Sequence, residues 1–162
     1  MTLYKVKIAD LAVLKDEGVL ITIGLGSCVG IALYDSFARV AGLAHVLLAD
    51  SSQFSHKINT DINPAKFADT AIPNLIQLME DQGAKKTRLK AKIAGGSQLF
   101  SFNSNVIRIG DKNVEMVKKK LLENSVPIIG QDVGGNYGRT MKIEVETGMV
   151  FIYTVGREEI RL

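Results

Sequence analysis

Two apolar runs, residues 28–34 and 39–48, are separated only by Asp35-Ser36-Phe37-Ala38. That spacing commits the middle of the chain to a hairpin, because two strand-like runs joined by about four polar or small residues close most easily on each other. If those four residues form the loop, Tyr34 pairs with Arg39 and, counting back along the ladder, Cys28 faces His45. Side chains directly opposite on adjacent antiparallel strands have Cβ atoms roughly 4.5–5.5 Å apart, close enough for a thiol to reach an imidazole. A slip of one residue would turn His45 to the other face. Cys28 is the only cysteine among 162 residues and His45 one of two histidines.

Alone, each residue has a plainer reading. Free cysteines are among the most buried residue types, and a histidine in an apolar segment is most often a satisfied core residue. Together they form the smallest side-chain set that activates a nucleophile, since a thiol attacks only as thiolate and needs a base or positive field to become one. The turn Gly24-Leu25-Gly26-Ser27 before Cys28 presents backbone N–H groups, and Gly26 and Ser27 are the candidate oxyanion donors. Should that turn fold back, Thr22 comes near the pair, where its hydroxyl or a backbone carbonyl could hold one imidazole nitrogen and aim the other at sulfur.

The rest of the chain reads as alternating strands and two helices. Residues 2–8, 19–23 and 88–94 read as strands, and residues 126–129 as a short buried one. Residues 142–146 and 149–155, joined through Thr147-Gly148, read as a hairpin. Asn63-Pro64 starts a helix over residues 64–82, with Asn63 as N-cap, Pro73 expected to kink it and Gly83 ending it. A second helix begins near Asp111, with Val114, Val117, Leu121 and Leu122 inward. Residues 50–63 form a long polar loop. The length and a hydrophobic share of 46% suit one folded domain over residues 1–162.

Other classes are disfavoured. Net charge is only +3, which gives no case for nucleic acid. The basic stretches 85–92 and 118–120 read as solvated faces with a weak attraction for acidic partners. No apolar run nears the roughly 18 residues that span a bilayer, and Met1-Thr2-Leu3-Tyr4-Lys5-Val6-Lys7 alternates like a strand, unlike a signal peptide. A lone cysteine fits a reducing cytoplasm. Gly24-x-Gly26-x-x-x-Gly30 loosely resembles a dinucleotide fingerprint, but a strand follows it where a helix N-terminus is required. His56, His45 and Cys28 lack metal-ligand spacing, so neither metal nor cofactor is expected.

Read in order, Thr22-Ile23-Gly24-Leu25-Gly26-Ser27-Cys28, Ala44-His45-Val46, Lys66-Phe67-Ala68-Asp69-Thr70-Ala71, Ala91-Lys92-Ile93-Ala94-Gly95-Gly96, Ile109-Gly110-Asp111-Lys112-Asn113 and Asp132-Val133-Gly134-Gly135-Asn136 resemble the chemoreceptor glutamine deamidases, the CheD family. The resemblance implies a three-layer α/β/α sandwich with a mixed sheet, related to bacterial toxin deamidases, and a catalytic triad falling on Cys28, His45 and Thr22. It also implies hydrolysis of glutamine side-chain amides on the cytoplasmic helices of methyl-accepting chemotaxis receptors, and a CheC-type phosphatase as partner. Ala49-Asp50 stands where members often have proline, followed by a lengthened loop. Phe100 and Phe102 are candidate apolar contacts for a receptor helix. The rival reading is a non-catalytic signalling adaptor in which Cys28 and His45 merely pack.

Overall fold

Alternation along the strands divides the buried residues between two cores. The structure, a computed structural model, describes residues 2–52, 63–99 and 108–162. Ten strands occur among them: β1 (Leu3–Lys5), β2 (Asp10–Lys15), β3 (Val19–Leu25), β4 (Val29–Asp35), β5 (Val40–Val46), β6 (Lys90–Gly95), β7 (Ile128–Val133), β8 (Arg139–Glu144), β9 (Val150–Tyr153) and β10 (Ile160–Arg161). The helices are α1 (Ala68–Asp81) and α2 (Ile109–Glu123). One sheet has the order β1-β3-β8-β9-β10 and the other β2-β5-β4-β6-β7. Each is mixed, with β1 parallel to β3 and β6 parallel to β7.

The central strands β4 and β5 of the second sheet are buried on both faces. Val29, Ile31 and Leu33 of β4 and Val40, Ala44 and Val46 of β5 pack with Ile72, Leu75 and Met79 of α1 and Val117 and Leu121 of α2. The alternate residues Ala32, Ala41 and Leu43 face Leu20 and Leu25 of β3 and Met141 and Ile143 of β8 in the first sheet. Burial on both faces explains why β4 and β5 read as unbroken apolar runs. The layers therefore run helices, sheet, sheet. The expected helix/sheet/helix order is corrected here, because both helices lie on one face and a sheet fills the other. Two mixed sheets with two helices remain, within the α/β class.

Several boundaries moved for local reasons. Asn63 accepts from the Ala65 N–H at 3.0 Å, but the turn it caps ends at Lys66. Phe67 is extended there and bridges Leu48, so α1 starts one residue later. It runs on through Pro73 to Asp81, and Gly83 follows at φ +103°. Leu122, expected inward, is 79% exposed, while Val117 and Leu121 on the same helix are buried. Strand β2 was not foreseen. The Asp35 carboxylate caps the β4–β5 loop by accepting from the Phe37 and Ala38 N–H groups, both at 3.0 Å, and pairs with Arg88 Nε at 2.9 Å. No helix among the described residues is long and apolar enough to cross a membrane.

Candidate active site

The hairpin sets where the imidazole points. Asp35 pairs with Val40, leaving Ser36 to Arg39 as the loop, and His45 lies opposite Gly30. The register is thus shifted by two residues from the expected one, which placed Cys28 there. A shift of two preserves the face, because side chains alternate with period two. His45 shares the parity of Ala41 and Leu43, and Cys28 joins the same inter-sheet core. The ladder between β4 and β5 ends at Val29 and Val46, so Cys28 sits just beyond it.

Strand β3 approaches from the other sheet and places Thr22 between the layers, fully buried. Its hydroxyl donates to the Val6 carbonyl oxygen at 2.7 Å and lies 2.6 Å from His45 Nδ1. A hydroxyl has one proton, and a carbonyl can only accept. The proton count therefore gives Thr22 Oγ1 the acceptor role toward His45, with Nδ1 carrying the proton. Nε2 then holds a lone pair, and it is buried without a hydrogen-bond partner among the described residues. Burial pushes the imidazole down to about 4, so it is neutral at physiological pH.

Cys28 is 6% exposed. Burial raises its thiol, opposed by hydrogen bonding from its own backbone N–H. Both groups are accordingly neutral at rest, Cys28 as thiol and His45 as imidazole. The Cys28 carbonyl accepts from the Gly96 N–H at 2.8 Å, and the Gly26 carbonyl from the Ser97 N–H at 2.8 Å. A Cβ on Gly95, whose φ is +110°, would collide with the Cys28 carbonyl, so only glycine lets these two turns meet. Gly26, expected as an oxyanion donor, is corrected: its N–H is turned onto the Gly24 carbonyl at 3.1 Å by the tight glycine turn. The glycine turn leads into strand β4, as expected, and offers no helix N-terminus to a phosphate.

A second group, not identified from the sequence, braces the same end. Arg139 is buried, donating from Nε to Asp132 at 3.0 Å and from Nη1 to Ser97 Oγ at 2.8 Å. Its guanidinium also stacks on Tyr137, 4.4 Å from the ring centroid. It joins β8 of one sheet to β7 of the other. The only sequence signal was its place after the glycine-rich stretch 133–138. Phe100, Phe102, His56 and most of the loop 50–63 lie outside the described residues. Among the described residues, no three His, Cys, Asp or Glu side chains are grouped to hold a metal ion.

By sequence, the chain is similar to known proteins of one family. The family described as "CheD chemotactic sensory transduction" matches residues 47–154, beginning two residues after His45. A protein of Clostridium novyi named "Probable chemoreceptor glutamine deamidase CheD" is 54% identical over 154 residues, covering 94% of this chain and 93% of its own. One of the same name from Clostridium botulinum is 53% identical over the same shares. The chain belongs to the CheD family.

Proposed function

We propose that this chain is a protein-glutamine deamidase of chemotaxis, converting glutamine side chains on the helical cytoplasmic part of chemoreceptors to glutamate and ammonia. The observation that carries the reading is the Thr22–His45 hydrogen bond, which fixes the tautomer and leaves a free Nε2 base on the face that Cys28 shares. The names of the relatives supply the substrate class.

In this reading His45 Nε2 takes the Cys28 proton as sulfur attacks the glutamine Cδ. The tetrahedral oxyanion is met by the Ser27 N–H. Imidazolium returns the proton to the departing nitrogen, ammonia leaves, and a thioester to Cys28 remains. Water, deprotonated by His45, attacks the thioester; the glutamate product departs and the proton passes back to sulfur. General acid–base assistance contributes about 10²–10⁴-fold, and an oxyanion donor about 10²–10³-fold. A neutral resting pair means that proton transfer accompanies attack.

The whole chain, residues 1–162, acts in this reading as one cytoplasmic domain without cofactor, with a CheC-type phosphatase as regulatory partner. Kinship with bacterial toxin deamidases belongs to the same reading and follows from the family resemblance alone. The burial of Cys28 favours one rival, an adaptor in which the thiol only packs. Mass spectrometry of a receptor cytoplasmic fragment after incubation with the protein separates them. Amide-to-acid mass gains at defined glutamines, absent with Cys28→Ala, support the enzyme; an unchanged fragment supports the adaptor.

A further inference from the structure

The β4–β5 ladder stops at Val29 and Val46. Cys28 and Leu47 would form the next pair, and strand pairing no longer fixes the separation there. The tie comes instead from α2. Asn113 is 1% exposed, and its Nδ2 donates to the Ser27 carbonyl at 2.9 Å and the Leu47 carbonyl at 3.0 Å. Ser27 precedes the nucleophile and Leu47 lies two residues past His45. The two protons of one amide nitrogen therefore join the two segments that carry the reacting pair.

The helix is placed for this by its close approach to the 95–97 turn. A Cβ on Gly110 would come within 2.5 Å of the carbonyl oxygens of Gly96 and Ser97. That turn itself holds the Gly26 and Cys28 carbonyls, closing a frame of α2, the turn and the nucleophile. Asn113 Oδ1 is buried with no partner among the described residues, an arrangement that costs stability. An asparagine kept in place despite that cost is explained by what its two donors hold.

We propose that Asn113 is a positioning residue that sets the alignment of Cys28 with His45. The proposal rests on the cysteine–histidine chemistry above. Its effect is on geometry: a misplacement of about 1 Å between reacting groups costs roughly 10²-fold in rate.

The test is a double-mutant comparison read by alkylation of Cys28 with iodoacetamide at about pH 7.5, which needs no receptor. Wild type should alkylate at least about fivefold faster than His45→Ala, because the imidazole takes the thiol proton as sulfur attacks. Asn113→Leu, close in size but without donors, should bring the wild-type rate down to the His45→Ala value. It should leave the His45→Ala rate unchanged within about twofold. On a receptor fragment, the same variant should lower kcat about 10–100-fold with KM held within about twofold. Asn113→Ser, which keeps one donor, is measured in parallel; it should lie between wild type and Asn113→Leu, and it carries the test if the leucine variant unfolds. An equal loss in both backgrounds, or no loss in wild type, overturns the proposal. Equal alkylation of wild type and His45→Ala would instead overturn the cysteine–histidine pair itself.

Discussion

Thr22 Oγ1 lies 2.6 Å from His45 Nδ1 across the gap between the two sheets, while its own proton is committed to the Val6 carbonyl at 2.7 Å. The contact joins two layers that share no strand ladder. Its precision depends on how the sheets pack, and it settles which imidazole nitrogen is free. It also answers whether a hydroxyl or a backbone carbonyl meets the ring, since the hydroxyl does so.

Thr22→Val keeps the branched shape and removes the acceptor. It should lower kcat for receptor deamidation about 10–100-fold, whereas Thr22→Ser should stay within about fivefold of wild type. Steady-state kinetics on a receptor fragment decide the matter. A valine variant with wild-type kcat would mean that the ring is oriented by packing alone.

Cys28→Ala should abolish deamidation with little change in melting temperature, and Cys28→Ser should retain only a trace, because a hydroxyl is far harder to deprotonate. Thioester trapping by hydroxylamine should release hydroxamate from wild type only. Turnover by the alanine variant would remove Cys28 from the chemistry.

Burial holds the His45 imidazolium down to about 4, below the ordinary histidine value of about 6.5. The unfolded chain takes up a proton as pH falls through 6.5, while the folded protein does not until about 4. This contribution to stability is full above pH 6.5 and is lost on acidification toward 4, on the order of 3 kcal/mol in all. Urea unfolding at pH 7 and 4.5 should show the wild type losing about 2–3 kcal/mol more than His45→Gln. Parallel pH profiles would contradict the neutral buried imidazole.

Arg139→Ala should destabilise the fold by about 3–5 kcal/mol, since it strips Asp132 and Ser97 of a buried partner and unties the two sheets near the site. Arg139→Lys should recover part of that loss, because one ammonium cannot serve the whole fork. Chemical denaturation measures both, and a loss under about 1 kcal/mol for the alanine variant would show the pair to be dispensable.

A target glutamine on a receptor helix is held in place by contacts remote from the amide. kcat/KM should therefore be far higher for a helical receptor fragment than for an unstructured glutamine peptide or free glutamine. Equal values would describe a general small-amide hydrolase.

Local patterning carried much of this protein. The unbroken apolar runs around Asp35 to Ala38 required a hairpin, and period-two alternation put Cys28 and His45 on one face even though the register differs by two residues. The amphipathic stripe of α1 and its Gly83 stop were legible for the same reason: both depend on residues close in sequence. Strand β2 was not legible, because Asp10-Leu11-Ala12-Val13-Leu14-Lys15 lacks a clear alternation and becomes a strand only by pairing with β5. The layer order was equally hidden. Apolar stripes state that a face is covered, but whether a helix or a sheet covers it depends on long-range packing. Arg139 and Asn113 became visible only in space, their partners Asp132, Ser97, Ser27 and Leu47 being distributed over β7, the end of β6 and the flanks of the hairpin. The sequence by itself determined the hairpin, its shared face and the residue types of the candidate site. Tertiary structure alone decided the tautomer of His45 and the approach of Thr22 to its ring, because a hydrogen bond between separate sheets is set by their packing and not by any spacing along the chain.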